Sequence, residues 1–507
     1  MPDGNLTART LSGAKWSAIA RAGQQVISLS TTTVLARLLT PGDYGLIGMT
    51  AFFLGFISIF RDLGTSAAII QHKQAEEPLP STVFWMNLLF GAAACGVCLV
   101  AAPLVAEFYH TPVLTRIMRW LSYSFLLSSL GIVPSALLSR AMAFRKIAIT
   151  EIAVASMAAI VGVTCALSGL GVWSLVASNL TGTATESLVF GVQSRWLPRW
   201  KLDVAQIRSI FGFSANLSGF QILNYFARNA DNMLLGRYVG ATALGYYQYA
   251  YTLMLYPLEH VSGALGRVLF PAFSQVQDDN ERFRSAYTRV CTMIAAMTFP
   301  MTLGLMAVAG PLVNVFLGPK WHPAARLLTI LAPVGLVQSI VTTVGHIYMA
   351  KGRTDWMFRW GLFASPVLVA SFVVGLPWGT EGVAISYAAF SYILTPMAFA
   401  IPFRLIDLSL WEFVKRLIPA LSYSLTMFLI TILTRIGLER LGLRPVAQLP
   451  VCVATGVVVY VGLVLWKRPP FLHDLALLAG NRLPVSWRTW LVPGDTCDNQ
   501  KHDGSST

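Results

Sequence analysis

Arg21, Gln24, Gln25 and Ser28 recur at i, i+3, i+4 and i+7, which sets them on one face of a helix. A guanidinium, two amides and a hydroxyl along one stripe form a hydrogen-bonding surface for water or a polar ligand. Hydrocarbon could not solvate them. A second group lies some two hundred residues on: Asn216, Gln221, Asn224, Arg228, Asp231 and Asn232, in which Arg228 and Asp231 stand i, i+3 and can pair. Two further ionisable pairs, Arg61-Asp62 and Glu259-His260, suit an interfacial salt bridge, a gate or a ligand contact. Glu151 and Glu186, and more weakly His346, are candidates to carry a proton or a cation.

Other chemistry is missing. No GxSxG, HExxH, phosphate loop or paired acidic motif appears, so no catalytic residue, metal site or cofactor is expected, and ATP hydrolysis is excluded. Cys95-Gly-Val-Cys98 has the spacing of a redox or zinc motif but lies in an apolar run with no further ligand nearby. The six cysteines imply no disulfide framework.

The elements that must position these residues follow from composition. Of 507 residues, 55% are hydrophobic and 12% charged, against about 25% charged in soluble proteins. Mean hydropathy is +0.61. These values exclude disorder and a soluble globule and define an all-α polytopic membrane protein. A hydrocarbon core about 30 Å thick takes about 20 helical residues, and the chain divides into fourteen spans. They cover 15–37, 44–68, 81–106, 114–138, 148–169, 171–193, 207–234, 241–265, 286–309, 324–350, 356–376, 380–402, 413–434 and 446–466. The runs are continuously apolar rather than alternating, which argues against a barrel. Turn chemistry such as Thr40-Pro41-Gly42-Asp43 joins them, and the longest loop is read as 266–285.

The net charge of +14 comes from basic residues scattered singly in the gaps, the pattern of loops facing anionic lipid and not of a nucleic-acid surface. With the N-terminus and even-numbered loops on one side, 25 of the 37 basic residues fall there and 9 on the other. Both termini are therefore expected in the cytoplasm, and the first apolar stretch, broken by Lys15 and Arg21, does not read as a cleaved signal.

The chain also repeats itself. Arg37 is followed eight residues later by Gly45, and Arg237 by Gly245, an offset of 200. Gly171-Val172 to Arg195 likewise matches Gly382-Val383 to Arg404. The expected organisation is a six-helix lobe at 1–200, a second at 201–410, two additional helices at 411–466 and a cytoplasmic tail at 467–507. Six spans preserve orientation, so the copies would be parallel repeats, an arrangement that suits a rocking transporter.

Two stretches carry a family likeness. Leu35-Ala-Arg37-Leu-Leu-Thr-Pro41-Gly-Asp-Tyr-Gly45-Leu, with Phe60-Arg-Asp62-Leu-Gly64, resembles the Wzx-type flippases, the bacterial polysaccharide transporters of the multidrug/oligosaccharidyl-lipid/polysaccharide superfamily. The likeness runs to the colanic-acid-type branch. Arg228-Asn-Ala-Asp231-Asn-Met-Leu-Leu-Gly236-Arg237 and Leu244-Gly-Tyr246-Tyr-Gln-Tyr-Ala250 agree with it. The resemblance implies an inner-membrane flippase for an undecaprenyl-diphosphate-linked oligosaccharide in exopolysaccharide, capsule or lipopolysaccharide synthesis. Its partners would be that substrate, membrane lipids, and a polymerase and export machinery. In that setting Arg21 and Arg228 suit a diphosphate, and Gln24, Gln25, Asn224 and Asn232 suit sugar hydroxyls. A cation-coupled multidrug exporter of the same superfamily and a membrane polymerase or ligase are the alternatives. The first is expected to carry acids in its cavity, the second a long extramembrane loop.

Overall fold

The structure is a computed structural model and describes residues 3–61, 69, 79–200, 224–262, 273–469 and 471–472. Every regular element among them is helical. A chain this apolar must satisfy its backbone groups within each segment, and the helix does so.

The first helices are α1 (Asp3–Leu38), α2 (Pro41–Arg61), α3 (Leu79–Phe108), α4 (Val113–Arg140), α5 (Phe144–Leu167) and α6 (Val172–Ser194). Then come α7 (224–238) and α8, Ala241–Pro257, which runs into a π-turn at Leu258–Ser262. The remainder are α9 (Asn280–Ala307), α10 (Ala309–Phe316), α11 (His322–Val341), α12 (Val344–Ala350), α13 (Thr354–Gly375), α14 (Gly379–Phe403), α15 (Leu410–Arg440) and α16 (Pro445–Lys467). Among the described residues nine helical runs are long and apolar enough to cross a membrane, one of them the 50-residue run Thr354–Phe403 that holds both α13 and α14. α1 and α6 are not in that set, because Arg21, Gln24 and Gln25 in the first and Asn179 and Glu186 in the second lower their hydropathy.

Two helices begin on side-chain caps. Between α1 and α2, the backbone N–H of Thr40 donates to Asp43 Oδ2 at 2.8 Å and Asp43 N–H to Thr40 Oγ1 at 3.3 Å, with Pro41 at the first helical position. This reciprocal lock satisfies the start of α2 locally. At α9, Asp279 Oδ1 accepts from the N–H groups of Glu281 and Arg282 at 3.1 and 3.0 Å. α9 therefore starts at Asn280, inside the segment expected to be loop; its charged first turn carries no apolar signal, and the cap sets the boundary.

The chain forms two compact units. Unit 1 is Met1–Tyr249 with Phe316–Trp321 and Val369–Val383; unit 2 is Ala250–Val315, His322–Leu368 and Ala384–Thr507. In unit 1, α3 packs on α4, α4 on α6, α6 on α5, and α5 on α1. Glycines permit the tight approaches: a Cβ on Gly91 would meet the Phe125 carbonyl oxygen at 2.8 Å, and one on Gly131 the Ser187 Oγ at 2.9 Å. In unit 2 the core is aromatic, with Phe283, Tyr287, Phe399, Phe403 and Phe413 all buried. Side chains such as Val100, Leu433 and Val458, 68–75% exposed, stand on the outer faces, a surface stable only against lipid.

Candidate functional site: two polar stripes in unit 1

α1 leaves Arg21, Gln24 and Ser28 exposed and Gln25 half-buried. Gly23, on the opposite side, packs against Ile152 of α5 and so fixes which face of α1 is free. The far end of the helix is held by Trp321, whose Nε1–H donates to the Ala36 carbonyl at 2.9 Å.

α7 presents its stripe by similar means. Asn224 and Arg228 are exposed, and Asn232 is half-buried two turns from Asn224 on the same face. The helix is locked by its other side. The Tyr225 hydroxyl donates to the Phe52 carbonyl of α2 at 2.7 Å, in a space that Gly55 leaves open. Asp231 turns inward and is 2% exposed. Its Oδ2 accepts from the Tyr247 hydroxyl at 3.0 Å and its Oδ1 from the Asn232 N–H at 2.8 Å. Among the described residues Asp231 makes no ion pair with Arg228, so the i, i+3 spacing is not used as a salt bridge. The consequence is chemical: Asp231 anchors α7 to α8, and the Arg228 guanidinium is left to face outward.

The other sequence candidates are dispersed. Glu151 is half-buried on α5, and Glu186 is exposed on α6. In unit 2, Glu259 and His260 are exposed on the π-turn, where the His260 ring stacks on Tyr256 at 4.0 Å and its Nδ1 lies 2.9 Å from the Tyr256 carbonyl. His346 sits half-buried on α12. The Arg61 side chain, and Asp62, Asn216 and Gln221 altogether, lie outside the described residues. The thiols of Cys95 and Cys98 are buried on α3, and Cys95 Sγ lies 3.5 Å from Ser122 Oγ, a packing role. Among the described residues no group of three or more His, Cys, Asp or Glu side chains could hold a metal.

Sequence reasoning missed two features. Trp321, fully buried, packs its ring against Tyr44 and Tyr249 at 5.3 and 4.7 Å. Its only sequence signal is the preceding turn at Leu317-Gly318-Pro319-Lys320. In unit 2 an apolar groove of about 440 Å³ opens among Met301, Gly304, Met427, Cys452, Gly456 and Tyr460, on α9, α15 and α16. Pattern alone does not distinguish a groove from a packed seam.

Membrane-spanning helices, exposed cationic and amide stripes and apolar outer faces define a membrane transporter. The chain belongs to the polysaccharide biosynthesis protein family, whose model matches residues 34–326. It is 29% identical over 442 residues to the lipopolysaccharide biosynthesis protein WzxC of Escherichia coli K12, covering 84% of this chain and 89% of that one. It is 27% identical to the succinoglycan biosynthesis transport protein ExoT of Rhizobium meliloti, with 92% and 95% covered. Its fold is that of the lipid II flippase MurJ in an inward closed conformation. The TM-score is 0.71 at 14% identity, over 89% of this chain and 98% of that one.

Proposed function

We propose that this protein is a flippase that carries an undecaprenyl-diphosphate-linked oligosaccharide across the bacterial inner membrane for polysaccharide assembly, and that it works as a transporter and not as an enzyme. The observation that supports the reading is the exposure of Arg21 and Arg228, each flanked by amides, on two helices of a membrane protein of this family. A diphosphate takes charge-assisted, bidentate hydrogen bonds from arginine, and sugars take single hydrogen bonds from Gln24, Gln25, Asn224 and Asn232. The polyprenyl tail needs a hydrocarbon path, an opening between apolar helices.

On this reading both termini are cytoplasmic and the cargo leaves toward the opposite side. Moving a diphosphate outward across a membrane negative inside is favourable by about 2.3 kcal/mol per charge per 100 mV. Glu151 and Glu186 are the proposed carriers of any coupled proton or cation. The pairs Arg61-Asp62 and Glu259-His260, with Asp231, are the proposed gating groups. The two lobes, 1–200 and 201–410, would rock about the polar route.

Deletion tests the reading. Cells lacking the protein should accumulate lipid-linked glycan in the inner leaflet, and restoring the chain should clear it. An unchanged leaflet distribution would remove the flippase assignment. Topology reporters fused after residues 40, 240 and 440 should read periplasmic, and those after 200 and 280 cytoplasmic.

A further inference from the structure

In unit 1 the chain leaving α6 is strapped across the start of α3. α6 stops at Arg195, whose φ of +53° is left-handed, a region that side chains other than glycine seldom enter, and Pro198 has no N–H with which to resume a helix. Hydrogen bonds and ring contacts then fix the non-helical stretch Arg195–Trp200. The Trp196 N–H donates to Ser194 Oγ at 3.3 Å, and the Trp196 ring packs on Phe84 at 5.8 Å. The Arg199 N–H donates to Ser81 Oγ at 2.8 Å, and the Arg199 carbonyl accepts from Trp85 Nε1–H at 2.9 Å. The Trp200 ring stacks on that of Trp85 at 4.0 Å.

So held, the strap keeps apolar side chains in the open. Leu197 is 82% exposed and Trp200 85%, the highest values for large apolar side chains among the described residues. Arg195 and Arg199 are exposed beside them. Lys146, exposed on the first turn of α5, reaches the same place and donates to the Gln193 carbonyl at 2.9 Å. Its neighbour Arg145, also exposed, lies over the Trp16 ring of α1 at 5.3 Å. Among the described residues none of these four cations pairs with a carboxylate.

The depth of this patch follows from what it touches. α3 and α5 are each long and apolar enough to cross a membrane, and the strap and its cations contact the opening turns of both. Helices of that length begin where headgroups meet acyl chains. There an indole is favoured, a leucine leaves water, and cations meet lipid phosphates. In water the same contacts would hold two large apolar groups in solvent with nothing gained. We propose that Arg195–Trp200, with Arg145 and Lys146, is a binding site for anionic phospholipid of the leaflet at this end of unit 1. The cations take the phosphate, and Leu197 and Trp200 seat among the upper acyl carbons. The flippase reading above does not enter into it.

The experiment uses the full chain with its native cysteines replaced by alanine and Leu197→Cys carrying an environment-sensitive fluorophore. The protein is placed in phosphatidylcholine vesicles with a minor fraction of phosphatidylglycerol. Phosphatidylglycerol brominated on its acyl chains should quench the label at least threefold more than equally brominated phosphatidylcholine at the same mole fraction, and salt should shrink the excess. Arg195→Gln with Arg199→Gln should bring the two lipids close to parity. Lysine at both positions should keep the preference, and Arg440→Gln, at the last residue of α15, should leave it unchanged. Equal quenching by the two lipids in the parent protein overturns the proposal. So does a label that neither lipid quenches, which would place Leu197 in water or under a protein partner. A glutamine variant that elutes as a single folded species and keeps the preference overturns it as well, and an excess insensitive to salt does so whether or not that variant folds. Polyprenyl diphosphate that displaces phosphatidylglycerol far beyond its mole fraction would assign the patch to the cargo instead.

Discussion

Unit 1 and unit 2 use polar residues in opposite ways. In unit 1, Arg21, Gln24, Asn224 and Arg228 stand exposed, and the helices that carry them are fixed from behind by Gly23, Tyr225 and Asp231. In unit 2 the hydroxyls turn to one another. Thr298 donates to Ser339 Oγ at 2.9 Å, Ser262 donates to the Ser339 carbonyl at 3.0 Å, and Tyr287 and Thr343 hydroxyls lie 3.0 Å apart, all buried. Such a seam ties helices together and is spent once made. The exposed stripe residues have no such partner among the described residues, and a solvent or a ligand can complete their donors. The difference separates residues that hold the protein from residues left exposed, which are those proposed to meet the cargo.

Three alanine variants can break that contrast. The largest effect is expected from Arg21→Ala combined with Arg228→Ala, which should abolish most export, at least a hundredfold, with the thermal midpoint of the purified protein unchanged. Lysine at both positions should restore only part, since it lacks the bidentate fork. Normal export in the double alanine variant would place the stripes among the solvated surfaces and remove the contrast. Phe413→Ala should act on the other side of it. Truncating this buried ring in the aromatic core costs about 3–5 kcal/mol, so the protein amount in membranes should fall while export per molecule holds. Smallest is Ser339→Ala. It removes the hydroxyl that Thr298 donates to and should cost about 1 kcal/mol, seen as a modest drop in unfolding midpoint with export intact. A Ser339→Ala protein that is stable but does not transport would give the unit 2 seam a working role.

Much of the helical pattern was readable from hydropathy. The span expected at 171–193 is α6, Val172–Ser194, and that at 356–376 is α13, Thr354–Gly375. The tenth expected span, 324–350, is divided between α11 and α12 around Thr342 and Thr343, because Thr343 Oγ1 turns to Ile340 and Tyr287 and the helical ladder is interrupted there. Threonine is too ordinary in apolar runs to announce such a break. α10 and the π-turn at Leu258–Ser262 were equally invisible, since hydropathy reports that a segment is apolar and not how it coils. At the candidate site, helical spacing put Arg21 with Gln24, and Arg228 with Asn224, and both pairs are exposed. It could not show that Asp231 belongs to Tyr247, sixteen residues away on the next helix. Nor could it show that Gly45 and Gly245, matched in register, are matched because they touch. Contacts between helices depend on packing, and a single-sequence periodicity describes one helix at a time.

The tight turn from α1 to α2 also bears on how the chain is made. α1 precedes α2, and with Lys15, Arg21, Gln24 and Gln25 along it a solitary helix would partition poorly into hydrocarbon, each central charge costing a few kcal/mol on insertion scales. α2, apolar by contrast, follows after only Leu39 and Thr40, and the Thr40–Asp43 lock forms from residues adjacent in sequence, without waiting for any later segment. α1 and α2 are then expected to integrate as a pair rather than one at a time, the apolar α2 drawing α1 in with it. A ribosome stalled with α1 alone outside its tunnel should hold a nascent chain still at the membrane surface, and release of α2 should commit both.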